Sequence, residues 1–109
     1  MPKYDLLDIP EIEIVPGFFA KFVHTEHVTV THWRIEKDAA LPEHSHTHEQ
    51  TTSVVTGELE LTVDGVTHHL KPGMVFVIPS EAVHTGRALT NCQLIEVFYP
   101  IREDYRARS

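Results

Sequence analysis

Closely spaced turn signals constrain this chain more than anything else in it. Turn-forming pairs and clusters recur about every 8–12 residues: PG at 16–17, TEH at 25–27, KDAALP at 37–42, TG at 56–57, DG at 64–65, KPG at 71–73, IPSEA at 78–82 and TN at 90–91. Between them lie segments rich in β-branched and aromatic residues, namely FFAKFV, VTVTHWRIE, TTSVVT, ELELTV, VTHHL, MVFVIP and CQLIEVFY. Alternation is clearest in GELELTVDG, where Leu59, Leu61 and Val63 share one face and Glu58, Glu60 and Thr62 the other. The Asp64-Gly65 pair that follows is the strongest short hairpin signal available. No window carries an apolar period of 3.6 residues, although the acidic N-terminal segment has room for a short helical turn. Seven or eight short strands at this spacing predict an all-β sandwich or barrel. With 109 residues there is one core to build, so every motif serves a single domain, 1–109.

Charge narrows the partners. Nine Lys and Arg stand against sixteen Asp and Glu, a net charge of −7, and the basic residues cluster only in the last few positions. Arg106 and Arg108 read as a solvated terminus. Neither a nucleic acid nor an anionic membrane is expected as the main partner, and no apolar run approaches the ~20 residues that span a bilayer. The start, MPKYDLLDIPEIEIVPG, lacks the basic and apolar regions of a secretion signal. Cys92 is the single cysteine, which rules out a disulfide framework and a cysteine-rich zinc site. Both features lead us to expect a cytoplasmic protein. The segment MVFVIP is apolar on both faces, as in a strand buried on both sides or covered by a second subunit; a homodimer is the expected assembly.

The histidines carry the chemistry. In LPEHSHTHEQ, His44, His46 and His48 alternate and Gln50 continues the parity, so one unbroken strand would point all four to one face. At about 3.3 Å per residue, His44 and His46 lie roughly 6.6 Å apart along the backbone, within reach of one ion. His46 and Gln50 would be about 13 Å apart and share an ion only if the chain turns at 47–49. On that geometry His44 and His46 end one strand, Gln50 begins the next, and His48 sits on the turn outside the ligand set. IPSEAVH supplies His84 as a fourth ligand. Three imidazoles and an amide oxygen suit a divalent transition metal such as Zn, Ni, Fe, Mn or Co. None of the four ligands is charged, so the ion would act as a strong Lewis acid. Alternate histidines also occur on solvated edge strands, and HSHTH alone leaves both readings open. His68 and His69 read as exposed, and His24, His27 and His32 as solvated or satisfied histidines.

What surrounds the cluster decides between them. HSHTHEQTTSVVTG, from His44 through Gln50 to Gly57, and GMVFVIPSEAVH, with Gly73, Pro79 and His84, resemble the two motifs of the cupin superfamily. The resemblance runs over about residues 28–99. It implies a double-stranded β-helix, or jelly-roll, barrel with an N-terminal strand and a C-terminal extension packed on it. Gln50 stands where many members have Glu, and Ala39 where a leading glycine is usual.

A closer resemblance lies at the C-terminus. Glu96 and Phe98 share a strand face, and beyond Tyr99-Pro100 Arg102 can fold back over the barrel mouth, where its fork of donors suits a carboxylate. An exposed ion pair of Arg102 with Glu103 or Asp104 is the competing placement. With HSHTHEQ, GELELTVDG and KPG, the stretch VFYPIREDY is similar to the small pectin-degradation cupins of the KdgF group. Members of that group linearise unsaturated monouronates released from pectin or alginate. The resemblance implies a metal on His44, His46, Gln50 and His84, with catalytic residues Glu96, Phe98 and Arg102, Glu96 replacing the Asp usual there. The expected substrate is a small anionic sugar acid. Metal would polarise its oxygens, Glu96 move a proton, Arg102 hold the carboxylate and Phe98 pack on the ring. The alternatives are another metal-cupin enzyme, an isomerase or dioxygenase, or a non-enzymatic sugar-binding or sensor barrel.

Overall fold

The computed structural model describes residues 1–108. A single 3-10 turn, Leu6–Asp8, opens the chain, with the Asp5 side chain accepting from Leu7 N at 2.9 Å. Among the described residues ten strands follow: β1 Ile12–Val15, β2 Phe18–His24, β3 Thr29–Ile35, β4 Ala40–His44, β5 Glu49–Thr56, β6 Leu59–Val63, β7 Val66–Leu70, β8 Val75–Ile78, β9 His84–Ala88 and β10 Cys92–Tyr99. The helix α1, Glu103–Arg108, ends the described chain. β2, β3, β5, β6, β7, β8 and β10 occupy the seven β-branched segments of the sequence. β1 is the N-terminal strand expected from the resemblance and β4 the strand expected to end at His44, while β9 and α1 have no counterpart in the sequence reading. β4 carries Pro42 and β9 carries Gly86 and Arg87, so neither has strand propensity of its own; pairing with each other makes them strands (Ala40 opposite Arg87, His44 opposite His84).

The strands form two antiparallel sheets, ordered β1-β2-β3-β10-β5-β8 and β4-β9-β6-β7. Their inner faces pack together as a jelly-roll barrel. Alternation decides which residues go inside. On β10, Leu94, Glu96 and Phe98 are buried while Gln93 and Tyr99 are exposed, and on β6 Leu59, Leu61 and Val63 face inward. Asp64 and Gly65 both take positive φ, 47° and 81°, as a two-residue hairpin of the I′ type requires.

The barrel interior is graded from one end to the other. Cross-strand pairing sets Cys92 against Ile35 and Leu94 against Trp33 and Val54, which is an apolar end. Further along, Glu96 meets Thr31 and Thr52, and Phe98 meets Thr29 and Gln50. All of these are buried, so the polar residues of the core collect at one mouth. That mouth is where the site forms.

β8 separates the two readings of MVFVIP. Val75 and Val77 are 60% and 55% exposed on its outer face, so MVFVIP is not buried on both sides within one chain. β8 is an edge strand, and Ile78 alone of the four residues in it is fully buried.

Gly57, the glycine that follows Gln50 in the first motif, has φ of 83°, and a Cβ there would lie 2.2 Å from the Asn91 carbonyl. Gly57→Ala therefore meets both left-handed strain and a backbone collision. It should cost at least about 2 kcal/mol, seen as a fall in melting temperature of roughly 10 °C; a change under about 2 °C would contradict the account.

Candidate metal centre

His44 ends β4 and His84 begins β9 directly opposite it, which puts their ring centroids 4.1 Å apart. His46 lies in the loop 45–48 rather than at a strand end, and its ring sits 4.9 Å from His84 and 5.8 Å from His44. The candidate ligand atoms of these three histidines all lie within 4.8 Å of one another. Gln50, the second residue of β5, brings its Oε1 to 3.0 Å from His46 Nε2. The four residues expected from the sequence are thus together, with the chain turning at 47–49 as required.

The hydrogen bonds assign the protons. His44 Nδ1 lies 2.8 Å from Pro42 O, His46 Nδ1 2.9 Å from His48 O, and His84 Nδ1 2.8 Å from Ala82 O. A carbonyl oxygen only accepts, so each Nδ1 carries the hydrogen and donates it. Each ring then turns its Nε2 away from the backbone. Burial, with Arg102 and His84 nearby, lowers the His46 pKa to about 4, and burial lowers that of His84 as well. These two rings are neutral at neutral pH. His84 Nε2 is buried with no hydrogen-bond partner, and the contact between His46 Nε2 and Gln50 Oε1 brings two acceptors face to face. Three imidazole lone pairs and an amide oxygen converging without a donor make a site that fits a cation.

Behind Gln50 lies Glu96. Its carboxylate accepts from Trp33 Nε1 at 2.7 Å, from Gln50 Nε2 at 2.6 Å and from Thr52 Oγ1 at 2.6 Å. Burial raises its pKa, and the three hydrogen bonds oppose that rise. Phe98, fully buried, stands beside His46 at a ring distance of 5.8 Å.

The C-terminal segment closes the mouth. Its backbone is held at two points, Arg102 N to Thr29 Oγ1 at 3.0 Å and Ile101 O to His48 Nε2 at 3.1 Å. His48 is therefore the clamp on this segment, outside the ligand set as expected. Arg102 is both folded over the mouth and ion-paired, so the two placements foreseen for it combine. Nε and Nη2 engage Asp104 at 2.9 and 2.7 Å, while the guanidinium lies between Tyr105, 3.9 Å away, and Phe98, 4.9 Å away. The Arg102 bonds hold the Asp104 carboxyl below its usual range. Tyr105, which the sequence did not single out, lines the same cavity, stacks on Phe22 at 4.7 Å and has its pKa pushed up by burial to about 12, so its hydroxyl stays protonated. A helical turn after a strand-ending proline left no apolar period by which to find it.

The inner cavity has about 40 Å³ of free volume and is lined on its polar side by His44, Gln50, His84, Glu96, Arg102 and Tyr105. Outside it opens a groove of about 390 Å³, which shares Leu41, His44, Arg102 and Tyr105 with the cavity and adds Ile14, Val15, Pro42, Asp104 and Arg108. The other histidines lie apart. His69 pairs with Glu58 at 3.1 Å, His68 packs on Phe76, His24 bonds Thr29, His27 is exposed beside Glu26, and His32 lies on the outer face of the sheet, paired with Ile95.

Residues 31–98 match the family model described as cupin domain. The chain belongs to the cupin family. The barrel superimposes on KdgF from Halomonas sp. with a TM-score of 0.90 at 27% identity, covering 96% of this chain and 98% of that one. An RmlC-like cupin from Shewanella frigidimarina gives 0.86 at 29% identity, over 91% and 90% of the two chains. A shorter likeness, 43% identity over 44 residues, joins this cupin to the L-ectoine synthase of Marinomonas sp.; it spans 40% of this chain and 34% of that enzyme. No helix among the described residues is long and apolar enough to cross a membrane.

A cation that binds the folded cupin and not the unfolded chain raises its melting temperature. Zn, Ni or Co added to metal-free protein should do so for the native chain and fail for His84→Ala, which removes a buried ligand. A native protein whose melting temperature ignores all three ions would contradict the site.

Proposed function

We propose that this cupin converts unsaturated monouronates, from pectin or alginate breakdown, into their linear keto forms. The observation that carries the reading is the sharing of one inner cavity by the cation-fitting residues His44, Gln50 and His84 and a buried, pre-oriented Arg102, which also borders the outer groove with His44. The likeness to Halomonas KdgF over nearly the full length of both chains supports it.

The volumes favour the outer groove for the substrate. About 40 Å³ admits water but not a sugar acid. The ring therefore lies in the outer groove, over His44 and against Arg102. A divalent ion held by His44, His46, Gln50 and His84 would supply Lewis-acid polarisation of the substrate oxygens. Asp104 occupies the Nε edge of Arg102, which leaves Nη1 to bind the substrate carboxylate. Phe98 and Tyr105 keep the guanidinium flat and exclude water from around it. Glu96, held as a carboxylate by Trp33, Gln50 and Thr52, takes up and returns the proton needed for enol-to-keto conversion along the narrow cavity behind the groove.

The partner protein we propose is a second copy. The outer face of the six-stranded sheet carries a row running Val77, Thr51, Val97, Val30 and Val23 across its strands, next to Val75 and Val55. It holds no charge and ends on an open edge strand, which suits self-complementary pairing about a two-fold axis. Sedimentation should give a dimer for the native chain and a monomer for Val77→Lys; a monomeric native chain would refute the pairing.

Turnover is read as loss of the ultraviolet absorbance of unsaturated galacturonate by metal-loaded protein. Arg102→Ala should raise KM about 10-fold or more, the worth of a charged hydrogen bond, with bound metal unchanged. Loss of metal in that variant would show that Arg102 has another role. A metal-replete native protein without turnover would move the function to a different cupin reaction or to ligand binding alone.

A further inference from the structure

We propose that Glu96 is a positioning residue for the ligand Gln50: held by Trp33 and Thr52, its carboxylate fixes the carboxamide with Oε1 toward the cation and requires residue 50 to be an amide. A carboxamide has two ends of similar shape and opposite polarity, and only the oxygen can serve a cation. Both hydrogens of Gln50 Nε2 are committed, one to Glu96 Oε2 at 2.6 Å and one to Thr52 Oγ1 at 3.0 Å. A flipped amide would set its oxygen against an ionised carboxylate at hydrogen-bond distance and turn its NH₂ toward the imidazole lone pairs. The partners therefore dictate one orientation, with Oε1 at 3.0 Å from His46 Nε2.

The sheet register explains how the carboxylate gets there. Phe98 pairs with Gln50 and Glu96 with Thr52, so the Glu96 side chain meets Thr52 directly across the strands and reaches one pair further to Gln50. Trp33 Nε1, from β3 on the other side, holds the remaining oxygen at 2.7 Å. With donors on both oxygens, the carboxylate has little freedom to turn. Partners of this kind behind a metal ligand set its orientation and contribute to affinity.

The same contact accounts for the departure at position 50. A glutamate there would bring a second carboxylate to where Gln50 Nε2 now sits, 2.6 Å from Glu96. Two carboxylates cannot both remain ionised at that distance. In this chain the negative charge stands behind the ligand instead of on it, and the ligand itself stays neutral.

The proposal rests on the metal reading of the site and not on the uronate reading, so its test uses no substrate. Co(II) binding is measured by chelator competition and by the visible d–d absorption of the loaded protein, alongside the melting temperature of the metal-free form. Glu96→Leu should lose about 10–100-fold in Co(II) affinity and change the d–d bands of the loaded protein, and the metal-free form should melt lower than the native chain, since Trp33, Gln50 and Thr52 are left as unpaired buried donors. Glu96→Gln, which keeps the volume and one acceptor, should fall between the two. Gln50→Glu should lower the melting temperature of the metal-free protein, and adding Glu96→Gln to it should restore that temperature by restoring a donor–acceptor pair. Native affinity and native bands in Glu96→Leu would overturn the proposal, as would failure of the double variant to recover or a native chain that binds no Co(II). The expected pattern in a protein inactive on uronates would uphold the proposal and discard that substrate.

Discussion

The carbonyls of Pro42, His48 and Ala82 each take the Nδ1 hydrogen of a histidine, leaving three Nε2 lone pairs and the Gln50 oxygen aimed at one another with no donor among them. Two of these carbonyls lie two residues before the histidine they hold and one lies two residues after, so the proton placement follows from the local chain path. The rest of the molecule serves that path. β4 and β9 become strands by pairing His44 with His84, and the loop 45–48 swings His46 back beneath Gln50. Four converging acceptors in a partly buried place cost free energy until a cation arrives. That cost is the physical reason to read the centre as a metal site.

The polar end of the core raises the same question a second time. A fully enclosed carboxylate is expensive unless every lone pair facing protein is met. Glu96 meets this condition with Trp33, Gln50 and Thr52, and the guanidinium of Arg102 adds favourable charge from the mouth. The opposite end, around Ile35, Leu59, Val54 and Leu94, is apolar and carries the stability that the polar end does not. One barrel thus divides its length between packing and chemistry.

How much of this was legible in the sequence varies with the physics behind each part. β6 and its Asp64-Gly65 turn were plain because alternation and turn geometry are local. The strand ending at His44 could be expected from the reach of the chain, but its partner β9 could not, because that pairing is decided by residues forty positions away. Spacing offered the metal ligands as candidates, the cupin-like motifs around them favoured that reading, and the turn at 47–49 followed from how far an extended chain reaches. The tautomers and the clamp from His48 to Ile101 could not be found in this way, since each depends on a loop conformation, and the sequence offered the Arg102–Asp104 pair only as an alternative to the fold-back with which it is combined. Glu96 was identified by strand parity, yet its bond to Gln50 came only from the register between β10 and β5. Val75 and Val77 show the limit of periodicity: an apolar strand reads the same whether its second face meets its own core or another molecule.

Cupin membership and the metal-fitting centre stand on the geometry and on the match over residues 31–98; the choice of a uronate as substrate is the proposal built on them. The most direct test of the centre is X-ray absorption at the edge of a bound metal ion. The account predicts a first shell with three imidazole nitrogens and a neutral oxygen donor, without sulfur and without the Glu96 carboxylate. A shell with fewer than three imidazoles, or one containing Glu96, would contradict it.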